Sequence, residues 1–291
     1  MDFTLELKQV TFKYTGIGGS EHSVLDHLNL RFDQQECTAI IGPSGSGKTT
    51  LIQHFTGLLK PISGQVLFNG RDIWGKQFSR KDLRRHIGLV FQFPEAQLFE
   101  ETVFKDIAFA PQKQELPAEQ VTGRVKEAMA AVGLEYTVFA ERSPFKLSEG
   151  EKRRTAIAGV LAMEPALVVF DEPTAGLDAD GIHRFSMIVD TLVQKKTAVI
   201  FITHNMEFVA QVARRVIVLK KGQVLFDGKP CDLFTNPSLI EQAEVQIPPV
   251  VHYLSSGKSP LAGNINAHNG RQKIWRRIEK IARNLNLEAS E

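Results

Sequence analysis

GPSGSGKTT, residues 42–50, is the stretch whose reading decides the fold. It fits G-x-x-x-x-G-K-[ST], the loop that wraps phosphates. Gly42, Gly45 and Gly47 accept backbone angles that a Cβ would forbid, so successive N–H groups can turn inward as an anion nest. Pro43, Ser44, Ser46 and Thr50 complete the expected cradle. Lys48 is expected to reach the β- and γ-phosphates of a nucleotide, and the Thr49 hydroxyl to ligate Mg²⁺. The flanks agree. CTAII (37–41) is a short apolar and β-branched run suited to a buried strand, and TLIQHFTGLL (50–59) has helical spacing at Leu51, Phe55, Leu58 and Leu59. Strand, loop and helix in that order aim a helix N-terminus at the phosphates. This context separates the pattern from a chance glycine turn.

Working outward toward the N-terminus, residues 3–13 alternate as a half-exposed strand does, and Tyr14 ends it. VLDHLNLRF (24–32) is a second strand-like run, so an antiparallel layer is expected on the nucleotide core. A lone Tyr14 reads first as packing, with stacking on a purine ring as the alternative. Toward the C-terminus, QVLFNG runs into an Asn-Gly turn. HIGLVFQ (86–92) reads as a buried strand ending at Gln92, which Pro94 stops. Helical spacing dominates from Val103 to about Met163, and Ser148 with Glu151 three residues on forms a capping box.

ALVVFDEP (166–173) is an apolar run ending in two carboxylates, the pattern of a parallel strand covered on both faces. Asp171 suits a Mg²⁺ ligand, and Glu172 beside it suits a general base that deprotonates water. His204, placed at the end of TAVIFITH, is in position to reach the γ-phosphate and the attacking water. The Gln92 amide is in position to join the metal shell or contact that water. Strands alternate with helices, which makes the fold class α/β, and Lys221-Gly222 marks a late hairpin.

The chain has 291 residues, 43% of them hydrophobic, enough for a large core. A net charge of +2 gives no basic field that would demand nucleic acid. No apolar run approaches the roughly 18 residues of a membrane span. Cys37 and Cys231 read as core residues, and the chain as soluble and cytosolic.

Taken in order, Tyr14, GPSGSGKTT, Gln92, LSEGE (147–151), LVVFDE (167–172) and His204 resemble the ATP-binding cassette (ABC) ATPases over about residues 3–235. The resemblance implies a phosphate-loop core with a mainly parallel sheet, an N-terminal antiparallel layer, an inserted helical subdomain at about 94–163 and a small C-terminal extension. It implies a head-to-tail dimer with two ATP molecules between the subunits and Tyr14 stacked on adenine. Each ATP would lie on one subunit's phosphate loop and under the other's signature helix, here carrying Ser148 and Gly150. Asp178, in AGLD (175–178), matches the loop that crosses between sites.

FQFPEAQLFEETVFKDIAFAP (91–111) and residues 152–178 narrow the resemblance to energy-coupling-factor (ECF) transporter ATPases, the second of their two ATPase subunits. That implies a heterodimer with another ATPase, at the cytoplasmic face of the membrane. It also implies a transmembrane coupling subunit docked near Phe91–Glu101 and an exchangeable membrane subunit that binds vitamins or metal ions. Phe93, Pro94 and Phe99 would line an apolar groove, and Glu95, Glu100 and Glu101 would meet partner arginines. The expected division is an ATPase domain over 1–240 and an extension over 241–291, whose stripe of Ile274, Ile278, Ile281 and Leu285 reads as a contact between ATPases.

One departure stands out. The family's LSGGQ is LSEGE here. Two acids near a γ-phosphate disfavour it unless they point away or are neutralised, and Lys152, Arg153 and Arg154 are expected to neutralise them. Two unequal ATP sites follow. A dedicated cobalt or nickel importer is the alternative. A cassette acting on DNA or the ribosome fits poorly, because no heptad insertion separates Lys48 from Ser148 and no basic stripe marks a groove.

Overall fold

The computed structural model describes residues 3–16, 19–34, 36–249 and 251. The chain opens with the long strands β1 (Thr4–Thr15) and β2 (Glu21–Asp33), which pair antiparallel. The buried strand β3 (Cys37–Ile41) leads through the glycine loop into α1 (Lys48–Phe55). Next, β4 (Ser63–Phe68) and β5 (Arg71–Asp72) flank a turn at Asn69 and Gly70, both with positive φ, the geometry that Asn-Gly favours. After α2 (Arg80–His86) and β6 (Ile87–Val90), a 3₁₀ turn at Pro94–Gln97 opens the helical region. That region holds α3 (Val103–Lys113), α4 (Ala118–Ala131), α5 (Tyr136–Phe139) and α6 (Glu149–Leu161). Then β7 (Leu167–Asp171), α7 (Ala179–Gln194), β8 (Ala198–Ile202) and α8 (Met206–Val212) alternate. The hairpin of β9 (Arg215–Lys220) and β10 (Gln223–Gly228) precedes α9 (Pro230–Phe234) and α10 (Pro237–Ala243).

Two sheets result. One is antiparallel, in the order β2-β1-β4-β5; the other has the order β10-β9-β3-β8-β7-β6, parallel except for β10. Because side chains alternate across a strand, the parallel sheet feeds two cores. Val168, Phe170, Val199 and Phe201 pack against the helical side. Leu167, Val169, Ile200 and Ile202 pack, with Phe55 of α1, against the antiparallel sheet. Phe170 and Phe201 are fully buried. Truncating such a ring to Ala costs about 3–5 kcal/mol.

The expected strand ends are shorter than the sequence suggested. β6 stops at Val90 and β8 at Ile202, where pairing with β7 is complete, so Gln92 and His204 each stand two residues beyond a strand. The expected boundary at residue 240 falls inside α10, and Ala243 and Val251 are fully buried in the main core. The packed body therefore extends at least to Val251. The amphipathic stripe from Ile274 to Leu285 lies outside the described residues.

Candidate functional site

The glycine loop is forced by its neighbours as well as by its turn. At Gly42 (φ 141°) an added Cβ would lie 2.0 Å from the Leu219 carbonyl oxygen. At Gly47 (φ 102°) it would lie 2.7 Å from the Val24 carbonyl oxygen. Gly47 caps α1 in the left-handed conformation, with no side-chain cap and no acidic residue in the first turn. The positive end of the helix is thus left without a counter-charge from the chain's own first turn. Lys48 Nζ donates to the carbonyls of Gly42 (2.8 Å) and Pro43 (2.9 Å). Burial holds its ammonium below the ordinary lysine range, while the charges of Glu172 and Asp171 oppose that shift. The Ser46 hydroxyl is buried without a hydrogen-bond partner among the described residues. Crowded glycines, an orphaned hydroxyl, an ammonium and an uncapped helix together fit a phosphate chain.

Across from this cradle, β7 delivers two carboxylates. Burial, together with the charge of Glu172, pushes the Asp171 carboxyl above its usual range; Lys48 works the other way. Glu172 leaves the strand in the left-handed region (φ 48°), and its N–H donates to the Ile202 carbonyl at 2.9 Å. Its carboxylate accepts the His204 N–H at 3.3 Å and lies 3.4 Å from His204 Nε2. Beneath them the Thr174 and Thr203 hydroxyls meet at 3.2 Å, tying the two strand ends together.

Tyr14 stands at the mouth. Its hydroxyl donates to Gln53 Oε1 (3.3 Å) and lies 3.4 Å from Thr50 Oγ1. Its ring meets Phe12 edge-on at 5.0 Å, and Phe12 meets the buried His54 at 4.9 Å.

One cleft of about 720 Å³ gathers Tyr14, Ser44, Gly45, Gly47, Lys48, Thr49, Thr50, Gln92, Asp171, Glu172 and His204. The Thr49 hydroxyl, the Asp171 and Glu172 carboxylates and the Gln92 amide are among the oxygen donors in this lining, the donor type a hard cation prefers. Sequence reasoning missed His22, Val24, Ala175 and Ile202 in its lining. His22 was findable from strand register, since it pairs directly with Tyr14. Val24 leaves no such signal, because it contributes its backbone position beneath Gly47.

Ser148, Gly150 and Asp178 do not line this cleft. Ser148 caps α6, with its N–H and its hydroxyl both donating to Glu151 Oε2 at 2.8 Å. Gly150 and Asp178 line a separate cleft of about 480 Å³ together with Glu149 and Arg153. Lys152 pairs with Glu149 at 2.7 Å, as expected of a neutralising cation. Arg153 does not share that role; its guanidinium turns inward onto backbone carbonyls. In the segment after β6, Phe91, Phe93 and Phe99 are exposed, whereas Pro94 is buried beneath them. Glu101 is paired with Lys105, and Glu95 lines the smaller cleft.

A family model described as ABC transporter matches residues 25–175. The energy-coupling factor transporter ATP-binding protein EcfA2 of Clostridium tetani is 43% identical over 256 residues, 88% of this chain and 89% of that protein. Its namesake from Caldanaerobacter subterraneus is 44% identical over 247 residues, 84% of this chain and 86% of that protein. Among solved structures, cbiO1 of Clostridium perfringens, described as part of the ABC transporter complex cbiONQ, superposes with a TM-score of 0.73. It is 34% identical, over 88% of this chain and 100% of that one. A dimeric post-hydrolysis state of an ATP-binding cassette bound to ADP and Pi superposes with a TM-score of 0.68. It is 28% identical, over 78% of this chain and 98% of that one.

Proposed function

The chain belongs to the ABC transporter family, among its energy-coupling factor ATP-binding proteins, and from that premise we propose that it powers an ECF-type importer by hydrolysing ATP. The observation that carries this reading is the meeting of the Gly42–Thr50 cradle with Asp171, Glu172 and His204 in one cleft. Lys48 and the uncapped start of α1 bind the phosphates. Tyr14 stacks on the adenine. Glu172, oriented by His204, accepts the proton of the attacking water. Thr49 and Asp171 would hold Mg²⁺, with Gln92 joining them, and the ion would supply charge neutralisation to the phosphates.

Each ATP site is completed between two chains. Ser148, Gly150 and Asp178 lie away from the cradle, which is the placement a head-to-tail pairing needs. We assign the partner as a different ECF ATPase. A transmembrane coupling subunit docks on the segment Phe91–Glu101, where the exposed Phe91, Phe93 and Phe99 offer apolar surface. An exchangeable membrane subunit chooses the vitamin or metal ion. No helix of the described residues is long and apolar enough to cross a membrane; the kinship with energy-coupling factor ATP-binding proteins is what supports a peripheral subunit on the cytoplasmic face. The alternative reading is a dedicated cobalt or nickel importer.

The test is purification of the tagged chain from its native membranes in mild detergent, followed by ATP-driven uptake in vesicles. Co-purification of a second cassette ATPase with membrane proteins of varying identity is expected. One fixed membrane partner and a single transported metal ion would support the alternative. A homodimer without membrane partners would overturn both.

A further inference from the structure

Arg153 lies one turn beyond the start of α6, yet its side chain serves another part of the site. Nη1 donates to the Ala175 carbonyl at 2.8 Å, and Nη2 to the carbonyls of Pro173 (2.6 Å) and Glu172 (3.4 Å). These carbonyls belong to the segment that carries the chain from the end of β7 toward Asp178. Burial works against the Arg153 charge, and Glu95 on the turn after β6 works for it. Glu95 lines the same 480 Å³ cleft, and one of its carboxylate oxygens is buried without a partner among the described residues.

Glu172 holds a left-handed backbone (φ 48°), a conformation unfavourable for a residue with a Cβ and kept only where surroundings impose it. Three features impose it here. The Glu172 N–H is tied to Ile202, the Thr174 hydroxyl to Thr203, and the carbonyl side of the same turn to Arg153. Arg153 is the only one of the three anchored on a helix outside the parallel sheet. A planar fork carries its donors in fixed directions on separate nitrogens, whereas a lysine ammonium gathers its three on one atom.

We propose that Arg153 is a positioning residue that fixes where the Glu172 carboxylate stands, so that α6 and Glu172 move as one body. This rests on the reading of Glu172 as the general base. Its consequence is communication between sites: nucleotide seated by one subunit against Ser148 and Gly150 is felt, through Arg153, at the base of this chain's own cleft.

The experiment uses the assembled transporter with Arg153→Gln and Arg153→Lys, and follows ATP affinity, KM, kcat per nucleotide-binding site and melting temperature. For Arg153→Gln, kcat falls roughly ten- to hundredfold, the effect of a small misplacement of a reacting group, while KM stays within about twofold. Arg153→Lys recovers part of the loss. Wild-type kcat per binding site in the Gln variant overturns the proposal. So does a rise in KM that tracks the fall in kcat. If the Gln variant does not assemble, the Lys variant decides alone, and wild-type kcat there overturns it. Glu172→Gln, run alongside, separates the two ideas. Turnover retained there removes the base assignment itself, whereas loss there with normal Arg153 variants removes only the positioning role.

Discussion

Glu172 and His204 face each other across the ends of β7 and β8, with Oε1 3.4 Å from Nε2 and the second carboxylate oxygen accepting the His204 N–H. The histidine therefore touches the carboxylate through both backbone and ring. Glu172→Gln should lower turnover roughly a hundredfold or more, the scale of a general base, while ATP binding persists. His204→Ala should lower kcat less, since the backbone N–H contact survives the substitution. Steady-state ATPase rates with parallel nucleotide titrations check both; near-normal turnover in Glu172→Gln removes its assignment as base.

Lys48 is the ammonium of the cradle, and among the described residues its acceptors are the loop's own carbonyls. Lys48→Ala removes charge-assisted hydrogen bonds worth about 1.5–3 kcal/mol, so ATP affinity should fall roughly ten- to hundredfold. Titration with a fluorescent ATP analogue reads this directly. Unchanged affinity would contradict the assigned phosphate contact.

The folded chain keeps the proton of Asp171 to a higher pH than the unfolded chain does, because burial and Glu172 raise its pKa. The ionised carboxylate therefore works against folding at pH values above the raised pKa, and this penalty fades as pH falls through it toward the unfolded value. Asp171→Asn should melt higher than wild type at pH 7.5 without nucleotide, with the gap closing in acid. The same variant should lose the extra stabilisation that Mg²⁺ and ATP confer. Melting curves across pH, with and without Mg·ATP, test this, and a gap that widens in acid would be the wrong sign.

In the LSEGE segment, Glu151 holds the Ser148 hydroxyl, and the hydrogen bonds from the Ser148 N–H and hydroxyl keep the Glu151 carboxyl below its usual range. Glu149→Gly with Glu151→Gln removes both charges but leaves an amide oxygen able to cap the helix. ATPase in the assembled complex should rise roughly fivefold if about 1 kcal/mol of repulsion is relieved. Equal rates and equal uptake would show the two substitutions to be silent.

The phosphate loop, the carboxylate pair and the α/β alternation were legible because each is local: a few adjacent residues state the turn, the strand or the cap. The sequence also placed Asn69-Gly70 and Lys221-Gly222 at turns, where all four residues take positive φ. What escaped was whatever depends on residues far apart. β6 and β8 end where β7 stops pairing, a limit invisible in HIGLVFQ or TAVIFITH themselves. The inward turn of Arg153 depends on the shape of the Glu172–Ala175 segment, so a run of three basic residues looked uniform when its members do different things. The burial of Ala243 and Val251, on the far side of the expected division at 240, is decided by the main core and leaves no local signal.

The underside of the glycine loop has a consequence for biosynthesis. A Cβ on Gly47 would lie 2.7 Å from the Val24 carbonyl oxygen, and one on Gly222 would lie 2.5 Å from the same oxygen. The Gly222 N–H donates to the Ser46 carbonyl at 3.2 Å, while the Asp26 N–H donates to the Gly222 carbonyl at 3.0 Å. Segments near residues 24, 46 and 222 thus close on one point, and such distant contacts must repay the loop-closure entropy of the chain between them. A nascent chain still held on the ribosome before residue 222 emerges lacks the floor of its own nucleotide cradle. Nucleotide, which stabilises only what it can bind, gains its full hold on the chain only once that floor has closed.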